Sequence, residues 1–294
     1  MTAETTFEAE RHRLLMVAYR IVGVWGDAED IVQETWLRWS AADHSRIERP
    51  AAWLTTVATR LAIDSLRSAR HQRETYVGPW LPEPIDTTAG PEQITELADT
   101  LTFGFLVALE QLTPVDRAVF VLREVFDVPF AEIADVVDKS EANCRQIAKR
   151  ARERVNEDRP VSHSGGNGSV QMLLNACMGA AMMGDVDALE KLFADDVLLI
   201  SDGGPNRHAA RRPIIGPQRV TRFVSVIAGR LSADVGANFV EVNGKPGVVL
   251  TEDGQPMLSL TIEPNATHDL VRRIWIVLNP DKLAAITNPP FAGR

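Results

Sequence analysis

The chain has 294 residues, 45% of them hydrophobic, and a formal net charge of −9 at pH 7. That length is too great for one typical domain and suits two or three. The acidic balance excludes a protein that coats DNA through overall charge, so any DNA contact must come from locally concentrated basic residues. The two cysteines, Cys144 and Cys177, form neither a disulfide framework nor a zinc-ligand spacing. No stretch approaches the roughly 18 apolar residues of a membrane span, and no apolar run follows a basic start as in a signal peptide. The expectation is a cytoplasmic protein with no membrane contact, metal or cofactor.

Residues from about Phe7 to Gln72 read as helical. Asp27 to Trp39, DAEDIVQETWLRW, has an acidic start. Asp27 is expected to cap this helix, with Glu29 and Asp30 in the first turn, where the helix dipole favours negative charge. Ile31, Val32, Thr35 and Trp39 recur at helical spacing and should face a core. Asp30, Gln33, Glu34 and Leu37 remain on another face, suited to docking on a basic protein surface. Pro50 breaks the pattern, and a new helix is expected from about Ala51 to His71. Trp53, Leu54, Val57, Leu61 and Leu66 form its apolar stripe, which alone would indicate a plain core helix. Its basic end sets Arg60, Arg67, Arg70 and Arg73 against Asp64 only.

A Pro- and Gly-rich linker follows, with WLPEP at Trp80 to Pro84. From Glu74 to Thr100 the chain carries Glu74, Glu83, Asp86, Glu92, Glu96 and Asp99 and no Lys or Arg. This reads either as a solvated tether or as a polyanion able to lie in a basic nucleic-acid channel. A second helical block spans about Gln93 to Val155. Within it Thr113 caps a helix, with Pro114 first and Asp116 third.

FAEIADVVDKSEANCRQIAKRARERV, Phe130 to Val155, is the strongest motif. One helix to Val137, the turn Asp138-Lys139 and a second helix capped by Ser140 make a helix-turn-helix. Ile133, Ala134, Val137, Cys144 and Ala148 take core spacing. Asn143, Arg145, Gln146, Lys149 and Arg150 stay exposed on the second helix, where Asn, Gln and Arg can pair with base edges and Arg and Lys with phosphate. An ordinary helical hairpin with a solvated basic face is the plainer alternative.

After a flexible linker (Asn156 to Ser169) the texture changes. Helices at about Val170 to Met183 and Val186 to Phe193 precede a strand at Val197 to Ser201, then a helix at Pro217 to Gly229. Alternating segments NFVEV, GVVLT, MLSLTI and LVRRIWIVL follow, with hairpin turns at Asn243-Gly244 and Asp253-Gly254. Helices first and an antiparallel sheet after make an α+β domain.

In order, DAEDIVQETWLRW, RPAAWLTTVATRLAIDSLRS and the helix-turn-helix closely resemble an extracytoplasmic-function (group IV) sigma factor. The resemblance implies a multidomain fold: two all-α domains, sigma region 2 and sigma region 4, then an α+β cone. It implies the partners core RNA polymerase, through its clamp and flap, and promoter DNA. Asp27, Asp30, Gln33, Glu34 and Leu37 would bind the polymerase. Trp53, Thr56, Arg60, Asp64, Arg67 and Arg70 would melt and read the −10 element. Arg60 departs from the Asn of many members. Ser140, Asn143, Arg145, Gln146, Lys149 and Arg150 would read the −35 element.

WLPEP, with NPDKL at Asn279 to Leu283, is similar to a narrower group that carries a fused SnoaL/NTF2-like domain. The resemblance implies regulatory contacts through Trp80, Leu81, Pro82, Glu83, Pro84, Asp202, Gly203, Gly204, Asn279, Pro280, Asp281, Lys282 and Leu283. The group's Asp-Gly-Gly-Gly-Lys motif is here Asp202, Gly203, Gly204, Pro205 and Asn206, so the lysine is missing, with Arg207, Arg211 or Arg212 as its expected substitute. The implied domains are region 2 at 1–73, an acidic linker at 74–92, region 4 at 93–155, a flexible linker at 156–169 and the cone at 170–294.

Two other functions remain open on sequence. NTF2-like cones host isomerases and cyclases, for which Asp202, His208, Asp253 and His268 are the candidate proton-transfer groups, and such a cone can hold a small-molecule ligand. A helix-turn-helix repressor explains residues 113–155 but leaves the DAED helix and the Trp53 segment unused.

Overall fold

The computed structural model describes residues 2–73, 75–90, 98–158, 167–232, 234–289 and 291. Glu74, Glu92, Glu96 and residues 159–166 of the second linker lie outside the described residues. Two compact units emerge: Met1–Thr75 with Phe105–Asp158, and Tyr76–Gly104 with Arg159–Arg294.

The first unit is all helical. α1 (Ala3–Val22) is capped by Thr2 and ends at Gly23, whose φ of 77° suits glycine. The chain turns at once into α2 (Trp25–Ser40). Asp27 is therefore a first-turn residue and not the cap: the capping position falls on Val24, which makes no side-chain cap bond. Ile31, Val32, Thr35 and Trp39 are buried as their spacing requires. α3 (Pro50–Arg73) starts on Pro50 itself, because a first-turn residue needs no intrahelical N–H.

α4 (Phe103–Leu109) and α5 (Pro114–Phe120) follow, the latter capped by Thr113 through a 3.2 Å bond from the Asp116 N–H. A π-helical turn at Val121–Val125 leads to α6 (Phe130–Val137) and α7 (Glu141–Asp158). Asp138 takes a left-handed φ of 53°, which aspartate tolerates, and Ser140 Oγ accepts the Asn143 N–H at 3.2 Å.

Buried arginines bind the α1–α3 bundle to the α4–α7 bundle. Arg117, fully buried, donates to the Arg20 carbonyl at 2.8 Å and pairs with Glu110. Arg73 reaches Glu110 at 2.7 Å and the Val22 carbonyl at 2.8 Å. Burial would raise the Glu110 carboxyl, but Arg117, Arg73 and Arg70 outweigh it and hold the net value below the ordinary range.

In the second unit, α8 (Asn167–Met183) and α9 (Val186–Lys191) lead into β1 (Phe193–Asp202). A short β2 (Ile214–Ile215), α10 (Pro217–Ala228) and the meander β3 (Gly236–Val242), β4 (Lys245–Glu252), β5 (Gln255–Pro264) and β6 (Val271–Val277) follow. α11 (Ala284–Thr287) comes last. The sheet order is β2-β1-β6-β5-β4-β3.

The expected all-antiparallel sheet is corrected at one ladder. β1 and β6 run parallel, with Leu199 beside Ile274 and Asp202 beside Val277. The crossover through β2 and α10 lets the meander close back on β1. Both hairpin turns form as expected, with Asn243, Gly244, Asp253 and Gly254 all at positive φ.

One sheet face carries Val248, Leu258, Ile262, Ile274 and Ile276 in a core with Leu174 of α8, Leu189 of α9 and Val220 of α10. The opposite face is polar along β5, where Ser259, Thr261 and Glu263 alternate, with Trp275 across from Thr261. Residues 76–90 of the expected linker belong to this unit, as do residues 98–104 from the start of the expected second helical block. Leu81, Ile85, Leu101 and Phe103 are buried, and Phe103 stacks on Trp275 at 6.4 Å. The Gly104 N–H donates to Glu263 at 2.8 Å, and a Cβ on Gly104 would fall 2.3 Å from that carboxylate. Asn243 accepts the Ile85 N–H at 3.0 Å and returns its own N–H to the Ile85 carbonyl at 3.0 Å.

Burial raises the Glu263 carboxyl above its ordinary value, with Arg273 and the Gly104 N–H offsetting only part of the effect. A carboxyl raised on folding costs stability once ionised, so its penalty is absent at acid pH and grows as pH rises towards the folded value. Glu263→Gln is expected to raise Tm by a few degrees at pH 8 and by less at pH 4.5, where about 2–4 °C corresponds to 1 kcal/mol for a domain of this size. Thermal melts at the two pH values check this.

Candidate polymerase and promoter interfaces

α2 presents Asp30, Gln33 and Leu37 to solvent, with Leu37 54% exposed. Glu34 is half-buried and pairs with Arg38 one turn on, at 2.9 Å. Asp27 is half-buried, and burial raises its carboxyl against the opposing pull of Arg73. Residues 27, 30, 34 and 37 fall at three- and four-residue steps and so share one face. An exposed leucine framed by acids suits a basic partner with an apolar notch.

On α3 the expected −10 residues divide. Trp53 is half-buried against Trp39, 5.4 Å between ring centroids, and Thr56 returns its hydroxyl to the Ala52 carbonyl at 2.8 Å. Arg67 and Asp64 form an exposed pair at 3.1 Å. Arg60 and Arg70 are engaged inside the first unit. Arg60 donates to the Val136 carbonyl at 3.0 Å and the Asp135 carbonyl at 2.6 Å, occupying the C-terminal end of α6. Arg70 donates to the carbonyls of Glu110 and Leu112. A cation at the negative end of a helix is electrostatically favoured, so Arg60 holds the helix-turn-helix against α3, and Arg70 holds the stretch after α4 there. Arg49 adds an ion pair with Glu132.

On the second helix of the motif, α7, the residues expected to contact DNA are exposed. Asn143, Gln146, Lys149 and Arg150 are exposed; Arg145 is exposed too and pairs with Glu141. Cys144, Ile147, Ala148 and Ala151 are buried beneath them. Ser140 acts as the helix cap.

In the second unit WLPEP and NPDKL meet around Asp202, which is fully buried. Its Oδ1 accepts from the Tyr76 hydroxyl at 2.6 Å and the Gly204 N–H at 3.0 Å. Its Oδ2 accepts from the Leu81 N–H at 2.8 Å and Lys282 Nζ at 2.7 Å. Lys282 also donates to the Leu81 carbonyl and sits 4.0 Å from the centre of the Trp80 ring. Asn279 donates to Tyr76 Oη at 2.9 Å, and its own N–H bonds the Asp202 carbonyl at 3.0 Å. Burial, then the bond to Asp202, pushes the Tyr76 phenol up.

Gly204 has a φ of 58°, and a Cβ there would fall 2.7 Å from the Asn279 amide. Pro82, Glu83 and Pro84 are buried beside Leu81, Leu283 is buried, and Pro280 opens the turn that carries Asp281 and Lys282. Asp202 takes its charge partner from Lys282, and Arg207, Arg211 and Arg212, the expected substitutes for the missing lysine, are exposed. Pro205 and Asn206 are exposed as well, so the departure from the motif leaves the lock around Asp202 intact.

Sequence reasoning missed Tyr76, Asn243 and Glu110. Tyr76 is one of only two tyrosines, which was a usable signal, but nothing local tied it to residue 202.

Two helical modules, one with a free helix-turn-helix reading face, followed by a helix-and-sheet domain, define a sigma-type initiation factor with a fused third domain. Sequence comparison agrees: residues 6–72 match the Sigma-70 region 2 family and residues 104–155 the Sigma-70 region 4 family. The chain belongs to the extracytoplasmic-function sigma factors, which direct promoter-specific transcription initiation by core RNA polymerase. It is 40% identical to the ECF RNA polymerase sigma factor SigJ of Mycobacterium tuberculosis, over 98% of this chain and 94% of that protein. It is 31% identical to the probable ECF sigma factor SigI of the same organism, over 79% of this chain and 88% of that one. The crystal structure of M. tuberculosis SigJ matches with a TM-score of 0.74 and 34% identity, covering 96% of this chain and 98% of that one. Among the described residues no helix is long and apolar enough to cross a membrane.

Removing one partner of a buried ion pair strands the other, at a cost of about 3–5 kcal/mol. Lys282→Met is therefore expected to destabilise the second unit by about that amount in urea unfolding. Adding Asp202→Asn is expected to cost much less than a second full increment, because the two side chains act as one unit. Additive losses would show that they do not.

Proposed function

We propose that α2 docks on the polymerase through Asp27, Asp30, Gln33, Glu34 and Leu37. α3 opens and reads the −10 element through Trp53, Thr56, Arg60, Asp64, Arg67 and Arg70. α7, with Ser140, Asn143, Arg145, Gln146, Lys149 and Arg150, reads the −35 element. The third domain sets how readily the two readers separate. The setting for this work is the cytoplasm, where polymerase and promoter are found.

The observation that carries this reading is the engagement of Arg60 and Arg70 by carbonyls of the −35 module. Elements centred about 25 base pairs apart are roughly 85 Å apart at 3.4 Å per pair. A compact unit of roughly 130 residues has a radius of gyration of only about 14 Å. The first unit must therefore open before both elements can be read, and opening releases Arg60 and Arg70 for DNA. The closed and open forms are two states, and polymerase and promoter bind only the open one.

The connector between the two readers is held on the third domain at both ends, by Tyr76 at Asp202 and by Gly104 at Glu263. While it stays bound, the separation of its two exits is fixed by that domain.

The chain acts by binding, with no reaction of its own. Both Asp202 oxygens are filled by donors, His208 is exposed, and Asp253 serves a hairpin turn. An acid–base pair needs a group with a free face, which Asp202 does not offer.

Run-off transcription with core polymerase tests the reading. Whole chain is expected to give a promoter-dependent transcript, and chain cut after Val155 to give several-fold more. Glu132→Ala with Glu110→Gln, which loosens the closed unit without touching the DNA-facing set, is expected to raise the yield of the whole chain. Equal yields from all three would overturn the regulatory part.

A further inference from the structure

Between Asp202 and Asp234 the chain has no acidic residue, yet it carries six arginines and His208. This is the reverse of a chain whose net charge is −9. Arg207, Arg211, Arg212, Arg219, Arg222 and Arg230 are all exposed, and none forms an ion pair among the described residues. The fold gathers them at one edge of the sheet. β2, the edge strand, pairs Ile214 and Ile215 with Leu199 and Leu198 of β1. The arginine-bearing loop enters β2, and α10 leaves it after the Gly216 N–H bonds the Val197 carbonyl at 2.9 Å. Arg207, Arg211 and His208 border a cleft of about 240 Å³ that Ser201 and Gly203 also line.

On α10 the pattern is regular. Arg219 and Arg222 share the exposed face, Val220 and Thr221 are buried behind them, and Arg230 follows past the helix end. Arg219 to Arg230 spans about 16 Å at 1.5 Å per residue, close to five base pairs of duplex. On neighbouring β1 Asp196 is held by Arg272 at 2.8 Å, and Asp195 beside it is exposed.

We propose that this edge of the third domain binds the phosphate backbone of duplex DNA, adding a sequence-independent contact outside sigma regions 2 and 4. The observations favour a polyanion over a protein: six guanidinium groups, five exposed donors each, and only Ile215 and Val226 as exposed large apolar side chains among them. The location on the promoter rests on the proposed function above. Residues 159–166 allow at most about 30 Å between the end of α7 and the start of α8 at full extension. When α7 lies in the −35 groove, the arginine edge is thus tethered beside flanking duplex at high effective concentration.

The test uses the full chain and fluorescence anisotropy on a random-sequence 40-base-pair duplex, across a salt series. Two variants are compared with the parent: R219Q/R222Q/R230Q and R207Q/R211Q/R212Q. Each is expected to weaken binding about tenfold or more at low salt, and to flatten the slope of log K against log salt by about 0.9 for each phosphate no longer neutralised. Circular dichroism and Tm should match the parent, since these side chains are exposed. Unchanged affinity and slope in both folded variants would overturn the proposal. So would loss of core polymerase binding with duplex binding intact, which would assign the surface to an acidic protein. Because the duplex carries no promoter, these outcomes are independent of the sigma reading. Its failure would appear separately, as absence of a run-off transcript from the parent.

Discussion

A single buried carboxylate organises the second unit. Asp202 ends β1 and gathers four donors from three separate stretches of chain: Tyr76 and Leu81 of the connector, Gly204 of its own loop, and Lys282 of the C-terminal turn. An ionised carboxylate out of water is costly unless its lone pairs are filled and a counter-charge is near. Both conditions are met only when WLPEP, the glycine pair and NPDKL are all in place. The ion pair adds little net stability over an apolar packing, but it is unforgiving of partial assembly, and that gives the connector one position on the sheet. Gly204 is required by the same geometry, since only a residue without a Cβ passes Asn279 with a positive φ.

The first unit uses charge differently. Four of its arginines, Arg60, Arg70, Arg73 and Arg117, reach carbonyl oxygens at or just past helix ends: Val22, Arg20, Leu112, Asp135 and Val136. Hydrogen bonds of a cation to such oxygens are stronger than neutral ones, yet each remains exchangeable for phosphate oxygens of similar chemistry. In the proposed function Arg60 and Arg70 therefore hold the closed form and serve the open one. Glu110, ringed by Arg73 and Arg117, fixes the packing of the two bundles, because its carboxylate needs both arginines to offset its burial.

As proposed above, DNA reading by this initiation factor competes with self-packing of the first unit, and the connector's anchorage bears on that competition. Extracytoplasmic-function sigma factors that lack a third domain have no such anchorage in the same chain. Here the fused domain turns a tether into a bound strap, and it displays an acid-free arginine surface between residues 202 and 234 of an otherwise acidic protein.

Local structure is legible in the order of residues alone. Helical spacing in α2 and α3, the Thr113 and Ser140 caps, the Asp138 turn and the two hairpin turns at Asn243 and Asp253 are governed by residues within a few positions of one another, and they form where the pattern places them. The order of the motifs was enough for the family. The assembled fold settles the rest, because those contacts join residues far apart in the chain. Nothing near Arg60 indicates that its partners are the carbonyls of residues 135 and 136. Nothing near Asp202 shows that its charge partner is Lys282. The parallel pairing of β1 with β6 and the burial of Glu83 in an acidic stretch are likewise invisible locally. Periodicity tells which face of an element is buried; only the tertiary structure tells what is buried against it.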